Sequence, residues 1–316
     1  MSRAVTSVLL AGLAVACAVS AVILGWRFAG QAAQRPLGGQ ETATLTATGA
    51  SYLSPTRLAE VTGASIEVTD TITPVANADY PALAIWDVRT STRDTTSSQQ
   101  LAPVSRTVVF DRRTAELVNC CGGNINGDAF IPQGGIAGWA FPVGTGRQTY
   151  DVFDTVLDKQ EPVRYSGTEM IDGILAYQFT EDISGAKAGF SPYSSKDPEL
   201  YSMHRVYSVD PQTGMLLNIA EDEDLYLANP ATGAVVTHLF RADLRATPAT
   251  VAGLARQDAR IRNAIELGVN ARRGLFGIAC VLTLGATVLL VGRPKAGARA
   301  TRLPRRPRSS GSPGGQ

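Results

Sequence analysis

Between residues 27 and 273, apolar positions recur every second residue rather than every third or fourth. Ile66, Val68 and Ile72 share one parity, and Glu67, Thr69 and Thr71 hold the other. Leu83 and Ile85 alternate with Ala84, Trp86 and Val88, while Leu175, Tyr177 and Phe179 share a face of the run Ile174–Phe179. Period-two runs rich in Thr, Val, Ile, Tyr and Phe predict half-buried strands. The pattern therefore predicts a mainly β, antiparallel, hairpin-rich domain over residues 27–247.

Turn chemistry sharpens this reading. Three segments follow one plan, in which an apolar run leads to Asp or Asn, two variable residues, Thr, a small residue and a second apolar run. They begin at Asp111, Asp210 and Asn229, with Thr114, Thr213 and Thr232 three residues on. Asp or Asn opens such a turn by accepting from its own downstream backbone, Pro presets φ, and Gly takes the left-handed position. That is the chemistry of a hairpin loop with a bulge. These Asp/Asn–Thr pairs are structural, not a site. Ala115 stands where the other two turns have Gly214 and Gly233, which predicts a strained or differently built turn. Residues 91–103 and 184–198, rich in Ser, Thr, Gly and Pro, read as loops.

After Pro248 the period changes. Val251, Leu254, Ile261, Ile265 and Val269 fit one broad helical face, with Asp258, Arg260, Arg262 and Glu266 on the rest. This predicts a juxtamembrane helix over 248–273, able to run on into the segment that follows and to stand the β domain off a bilayer.

Two runs carry no charge at all. Ala4–Trp26 has 23 residues and Gly274–Gly292 has 19, each long enough to cross a hydrocarbon core about 30 Å thick. A cleaved signal peptide has a shorter apolar region and a small-residue cleavage site. Gly25-Trp26-Arg27 offers no such site, so the first run is read as an uncleaved anchor. A lipoprotein reading through Cys17 fails because Ala14 stands where Leu is needed and the residues after Cys17 stay apolar.

Charge orients the chain. Lys and Arg total 29 against 28 Asp and Glu, a net of +1 that argues against nucleic acid as the main partner. The balance is uneven, because every acid lies between Glu41 and Glu266. The last 24 residues hold seven basic side chains and no acid, and setting those and Arg3 aside leaves 21 basic against 28 acidic residues. Basic flanks stay cytoplasmic. The reading is a cytoplasmic N-terminus at 1–3, transmembrane helices at 4–26 and 274–292, an extracytoplasmic domain between them, and a disordered basic cytoplasmic tail at 293–316. This places the protein in the plasma membrane, with the lipid bilayer as its first partner.

Candidate chemistry is sparse. Cys120 and Cys121 are adjacent, and an oxidising exterior allows a vicinal disulfide between them; two plain thiols are the alternative. Asn124–Asp128 resembles part of a calcium loop, but in that register Gly122 and Gln133 occupy ligand positions they cannot serve, so it reads as a polar turn. Glu221-Asp222-Glu223-Asp224 reads as a solvated hairpin tip, with weak binding of a hard cation as the alternative. His204 and His238 have no second ligand at metal spacing. No nucleophile elbow, phosphate loop, dinucleotide fingerprint or zinc signature is present. No catalytic residue, metal or cofactor is assigned, and the chain is read as a non-enzyme.

Several segments appear together in a fixed order: Asp111-Arg112-Arg113-Thr114, Val118-Asn119-Cys120-Cys121-Gly122, Phe141-Pro142, Thr149–Asp154, Tyr165–Glu169 and Ile171-Asp172-Gly173. In this order, and with the helix-flanked layout, the chain resembles the actinobacterial porin PorA family, a family of unknown function. Phe153 stands where the family pattern has an aromatic, often Trp. The resemblance implies an actinobacterial cell-envelope protein and transfers no catalytic residues. With the aromatic, Gly-rich stretch Gly134–Phe141, the topology leads to an expectation that the external domain binds or passes on an apolar or lipid ligand. An envelope scaffold with a protein partner, or a channel as the family label says, are the alternatives.

Overall fold

The computed structural model describes residues 3–31, 41–77, 79–101, 103–129, 131–189, 193–194 and 196–291. The basic tail expected to be disordered lies outside the described residues. The chain divides into two compact units, one of residues 23–271 and one of residues 1–22 with 272–316.

The larger unit is built on strands β1 (Glu41–Leu53), β2 (Glu60–Val75), β3 (Leu83–Asp94), β4 (Val104–Asp111), β5 (Asn124–Ile125), β6 (Tyr150–Asp154), β7 (Lys159–Ile171), β8 (Ile174–Lys187), β9 (Glu199–Val209), β10 (Leu216–Ala228) and β11 (Val235–Ala246). They form one 11-stranded sheet in the order β5-β4-β3-β2-β1-β11-β10-β9-β8-β7-β6. All neighbours are antiparallel, and every pair of strands consecutive in sequence is paired in the sheet except β5 and β6, which lie at its two ends, while β11 returns to pair with β1.

The sheet curls until its ends meet. Leu117 bridges to Phe110 of β4, Glu116 bridges to Ile136, and Ile136 bridges in parallel to Val152 of β6. Backbone bonds run the same way, from Leu117 N–H to Gly135 O at 2.7 Å and from Phe153 N–H to Ile136 O at 2.9 Å. The result is a barrel closed through two short extended segments. One interior cluster therefore unites Trp86, Val108 and Phe110 with Val163, Phe179 and Tyr207 from the opposite side of the barrel.

Strand parity matches the sequence reading in β2, where Ile66, Val68 and Ile72 are buried. The opposite parity faces out. Thr42, Thr46 and Thr48 on β1, Arg89 and Arg93 on β3, and Arg241, Asp243 and Arg245 on β11 make the outer surface polar and charged. A second, smaller cluster (Leu45, Tyr52, Ile66, Val68, Leu244) lines the β1/β2/β11 wall.

The turns follow the Asp/Asn plan. Asp111 Oδ1 accepts from the N–H groups of Arg113 and Thr114 at 2.8 and 2.9 Å, and Asn229 Oδ1 from Ala231 and Thr232 at 2.9 and 3.2 Å. Ala115 does not change the turn type; it adopts φ 60°, the left-handed value its Gly counterparts take. Two more turns of this kind were not read from the sequence, at Asp94 and Asp154. Their left-handed positions are held by Ser98 and Asp158 instead of Gly. The expected loops are also shorter: β3 extends through Asp94 and β8 through Lys187, because Thr- and Ser-rich strands face water outside the barrel.

Helix α2 (Pro248–Val291) starts directly after β11. Thr247 caps it, accepting from Thr250 N–H at 3.2 Å. Val251 and Ala255 pack on Ile171, Ile174, Ala176 and Leu217. A register shift between Leu216 and Asn218 frees Leu217 to turn outward beneath the helix. Asp258, fully buried, meets Asp210 and Thr213 of the β9–β10 turn, with Arg262 Nη1 3.6 Å from Asp210. A turn that reads as purely local thus also docks the helix.

In the smaller unit, α1 (Arg3–Gln31) and the end of α2 are helical. Among the described residues of this unit the buried positions are alanines seven apart, Ala14 and Ala21 on α1 and Ala279 and Ala286 on α2. Larger side chains such as Val8, Leu13, Val281, Leu284 and Val288 are exposed. α2 holds a stretch long and apolar enough to cross a membrane, whereas the apolar helical stretch described in α1 is the shorter Ala11–Ile23.

Candidate ligand cavity

The barrel is not packed solid. A cavity of about 810 Å³ opens among the strand ends farthest from α2, lined by Leu53, Val104, Tyr201, Leu225 and Phe240. A second cavity of about 90 Å³ lies at the α2 end, where Thr250, Leu254, Gln257 and Ile261 of the helix face Leu45, Ile72 and Leu216. Val68, Asp70, Trp139, Ile219 and Glu221 line both.

The larger cavity has two kinds of wall. The β1/β2/β11 side is mainly apolar, with Leu53, Val68, Phe240 and Leu244 around the single carboxyl of Asp70. The β9/β10 side carries Arg205, Glu221 and Glu223. In the strand pairing Arg205 stands opposite both Glu181 and Glu221. Its Nη1 donates to Glu181 Oε2 at 2.8 Å and to Tyr207 Oη at 3.1 Å, and its Nε to Glu221 Oε1 at 2.6 Å. Tyr207 donates to Glu181 at 2.9 Å, and Tyr201 to Asp154 at 3.3 Å. Burial opposes the Arg205 charge, but Glu221, Tyr207, Tyr201 and Glu181 together outweigh it and hold the guanidinium charged.

One cation does not balance this wall. Burial pushes the Glu223 carboxyl up to about 8, and the neighbouring Glu221 charge adds to that effect. Burial likewise raises Asp70 to about 6, against the pull of Thr90 Oγ1, which donates to it at 2.5 Å. Glu181, fully buried with one oxygen unpartnered, is also raised by burial. The second cation, Arg106, is lowered to about 10 by burial. Its Nε donates to Gln133 at 2.8 Å, and its guanidinium lies over the rings of Trp139 and Phe153 at 5.5 and 5.1 Å. The interior at neutral pH is thus a mix of one strong ion-pair network, a largely protonated Glu223 carboxyl and aromatic faces.

The Glu221–Asp224 run is therefore not a hairpin tip. It lies in the middle of β10, with Glu221 and Glu223 facing the cavity and Asp222 and Asp224 facing out. Alternate carboxylates on opposite faces cannot converge on one cation. Among the described residues no group of three His, Cys, Asp or Glu is arranged to hold a metal ion. The two histidines sit outside the lumen, His204 with Asp182 at 2.6 Å and His238 with Asp224 at 2.7 Å.

Gly134–Phe141 enters the barrel. Ala140 bridges to Met215, Phe141 N–H bonds Gly214 O at 3.0 Å, and Phe141 stacks on Phe179 at 5.2 Å. Gly138 has no Cβ to collide with Tyr207 and Val152, each 3.3 Å from where one would stand. Trp139 projects between the cavities and bonds Asp70. The Cys120 and Cys121 sulfurs lie at bonding distance in the turn before Gly122, away from the cavity lining.

These features define a β-barrel with a polar outside and a ligand-sized interior, followed by a helix able to cross a membrane. The family profile described as Porin PorA matches residues 6–292, and the chain belongs to that family. It is also similar to a curated protein named Porin PorA from Corynebacterium resistens, 41% identical over 70 residues. That match covers 21% of this chain and 17% of the relative.

Proposed function

We propose that this chain is a two-pass cell-envelope protein of the plasma membrane, anchored by residues 4–26 and 274–292 with both termini cytoplasmic. Its external barrel holds an apolar or lipid-class ligand in the lumen. The observation that carries this reading is the cavity of about 810 Å³, which falls within the usual size of small-molecule sites and has an apolar wall facing a polar one. A domain serving only as a scaffold has no need of such a space.

The family label favours a second reading, a non-enzymatic channel. A barrel that crosses a bilayer needs an apolar outward band about 25 Å tall with aromatic girdles. Here the outward parity carries Thr, Arg and Asp, so the barrel itself suits water, not lipid.

The test is native mass spectrometry of the full chain, purified in mild detergent from a host with related lipids. A stoichiometric lipid-sized adduct that a short competing fatty acid displaces is the expected result. A chain that carries no adduct, accepts no fatty acid and conducts ions in planar bilayers would replace this reading with the channel.

A further inference from the structure

Thr213 Oγ1 sits between two buried carboxyls where β9 turns into β10. It contacts Asp258 Oδ1 and Asp210 Oδ2, the latter at 3.2 Å, and accepts from Met215 N–H at 3.2 Å. A hydroxyl has one hydrogen, so it can donate to only one of the two acids. Asp258 Oδ2 is buried with no hydrogen-bond partner among the described residues. Arg262 Nη1, 3.6 Å from Asp210 Oδ2, balances one negative charge. Two carboxylates this close and this dry cannot both stay ionised. The arrangement therefore calls for one proton held between Asp258 and Asp210. In keeping with that count, burial and then Asp210 raise the Asp258 carboxyl to about 7, against the pull of Thr213 and Arg262.

The same helix covers one end of the barrel. Leu254, Gln257 and Ile261 form the α2 side of the smaller cavity. The first turns of α2 are held without the acid pair, since Thr250 Oγ1 donates to Thr44 O at 3.1 Å and Val251 and Ala255 pack on Ile171, Ile174 and Leu217. Beyond them α2 is attached by Gln257 to Glu41, Asp258 to Thr213 and Arg262 to Asp210.

We propose that Asp258 and Asp210 form a proton-operated latch: with one proton between them α2 is clamped over the barrel end, and without it the helix lifts beyond Ala255 and uncovers the lumen. As a route for a ligand this rests on the lumen reading above, whereas the latch itself does not. Lifting the helix exposes Asp258 and returns it to its ordinary 3.8. Opening therefore gains about tenfold per pH unit above about pH 4 and levels off above about 7.

Hydrogen exchange read by mass spectrometry tests this on the full chain in amphipol between about pH 5 and about pH 7, with the intrinsic pH dependence of exchange divided out. Protection of the helical amides of residues 257–265 should fall by roughly tenfold per pH unit, while β1 and β2 keep theirs. Asp258→Asn keeps the side-chain shape and offers an N–H to Asp210, so it should remove the slope. Asp210→Asn can still accept from Gln212 N–H and build the turn, and it should remove the slope as well. Protection in α2 that does not change with pH, a fall shared equally by β1 and β2, or a slope that persists in both variants would overturn the latch. A native mass spectrum with no ligand adduct would instead overturn the lumen reading and leave the latch standing.

Discussion

Arg205 on β9 and Glu221 on β10 face each other at 2.6 Å inside the barrel, while Glu223, two residues on and facing the same cavity, forms no salt bridge among the described residues. Removing one partner of a buried pair leaves the other uncompensated, at a cost of about 3–5 kcal/mol. Arg205→Met should lose stability on that scale in urea denaturation at neutral pH. Adding Glu221→Gln to it should recover part of the loss, because the two sites are coupled. Additive effects would show that the pair contributes nothing beyond its separate side chains.

Stability should fall with rising pH over an unusual range. Glu223 goes from an ordinary 4.5 to about 8, and Asp258 from 3.8 to about 7, in both cases chiefly through burial. Each holds its proton more tightly folded than unfolded. The folded state therefore binds more protons between these values, and stability fully present below about pH 4 is lost progressively as pH rises, the loss being complete above about 7 for Asp258 and about 8 for Glu223. Other carboxylates act in the opposite sense at lower pH. Glu223→Gln should flatten the slope between about pH 5 and about pH 8, and Asp258→Asn between about pH 4 and about pH 7, in Tm measurements. An unchanged slope in both would remove these groups as its source.

The turns make a graded comparison. At Gly214, φ is +70° and a Cβ would stand 2.2 Å from Phe141 O; at Gly233, φ is +72° with open space around it. Gly214→Ala should carry overpacking of about 1–3 kcal/mol on top of the backbone strain. Gly233→Ala should cost only the strain, about 1 kcal/mol. Ala115→Gly, which relieves a left-handed alanine, should stabilise by up to about 1 kcal/mol. Chemical denaturation of the three variants checks the order.

Cys120 and Cys121 are proposed to be joined when the protein is exported. Intact mass spectrometry with and without a reductant should show a gain of two hydrogens, and Cys120→Ser should abolish the change. Thiol labelling of both residues in protein taken directly from cells would argue for free cysteines.

Local rules were legible in the sequence, and the barrel interior was not. Strand parity at Ile66, Val68 and Ile72, and the turns at Asp111, Asp210 and Asn229, follow from side-chain chemistry within a few residues. The turns at Asp94 and Asp154 escaped because Ser98 and Asp158 fill positions where Gly is the usual marker. The run Glu221–Asp224 misled for a different reason. Hydrophobicity marks an interior that is dry, whereas this interior is a cavity with charges on its wall. The signal was still present as a phase, since Ile219, Glu221, Glu223 and Leu225 continue one parity. What the chain order could not show is the partner, because Arg205 lies 16 residues from Glu221 and reaches it through strand pairing. Trp139 was flagged only as part of an aromatic, Gly-rich stretch, and its position between two cavities depends on the closed barrel.

The segments around Leu117 and Ile136 have one more consequence. They occupy the outer hydrogen-bonding rims of β4 and β6, where a curled sheet would otherwise present its unpaired amides. In a crowded envelope such rims invite neighbouring chains to add strands and polymerise. With both rims taken by its own chain, this domain can be present at high density and remain a set of separate barrels.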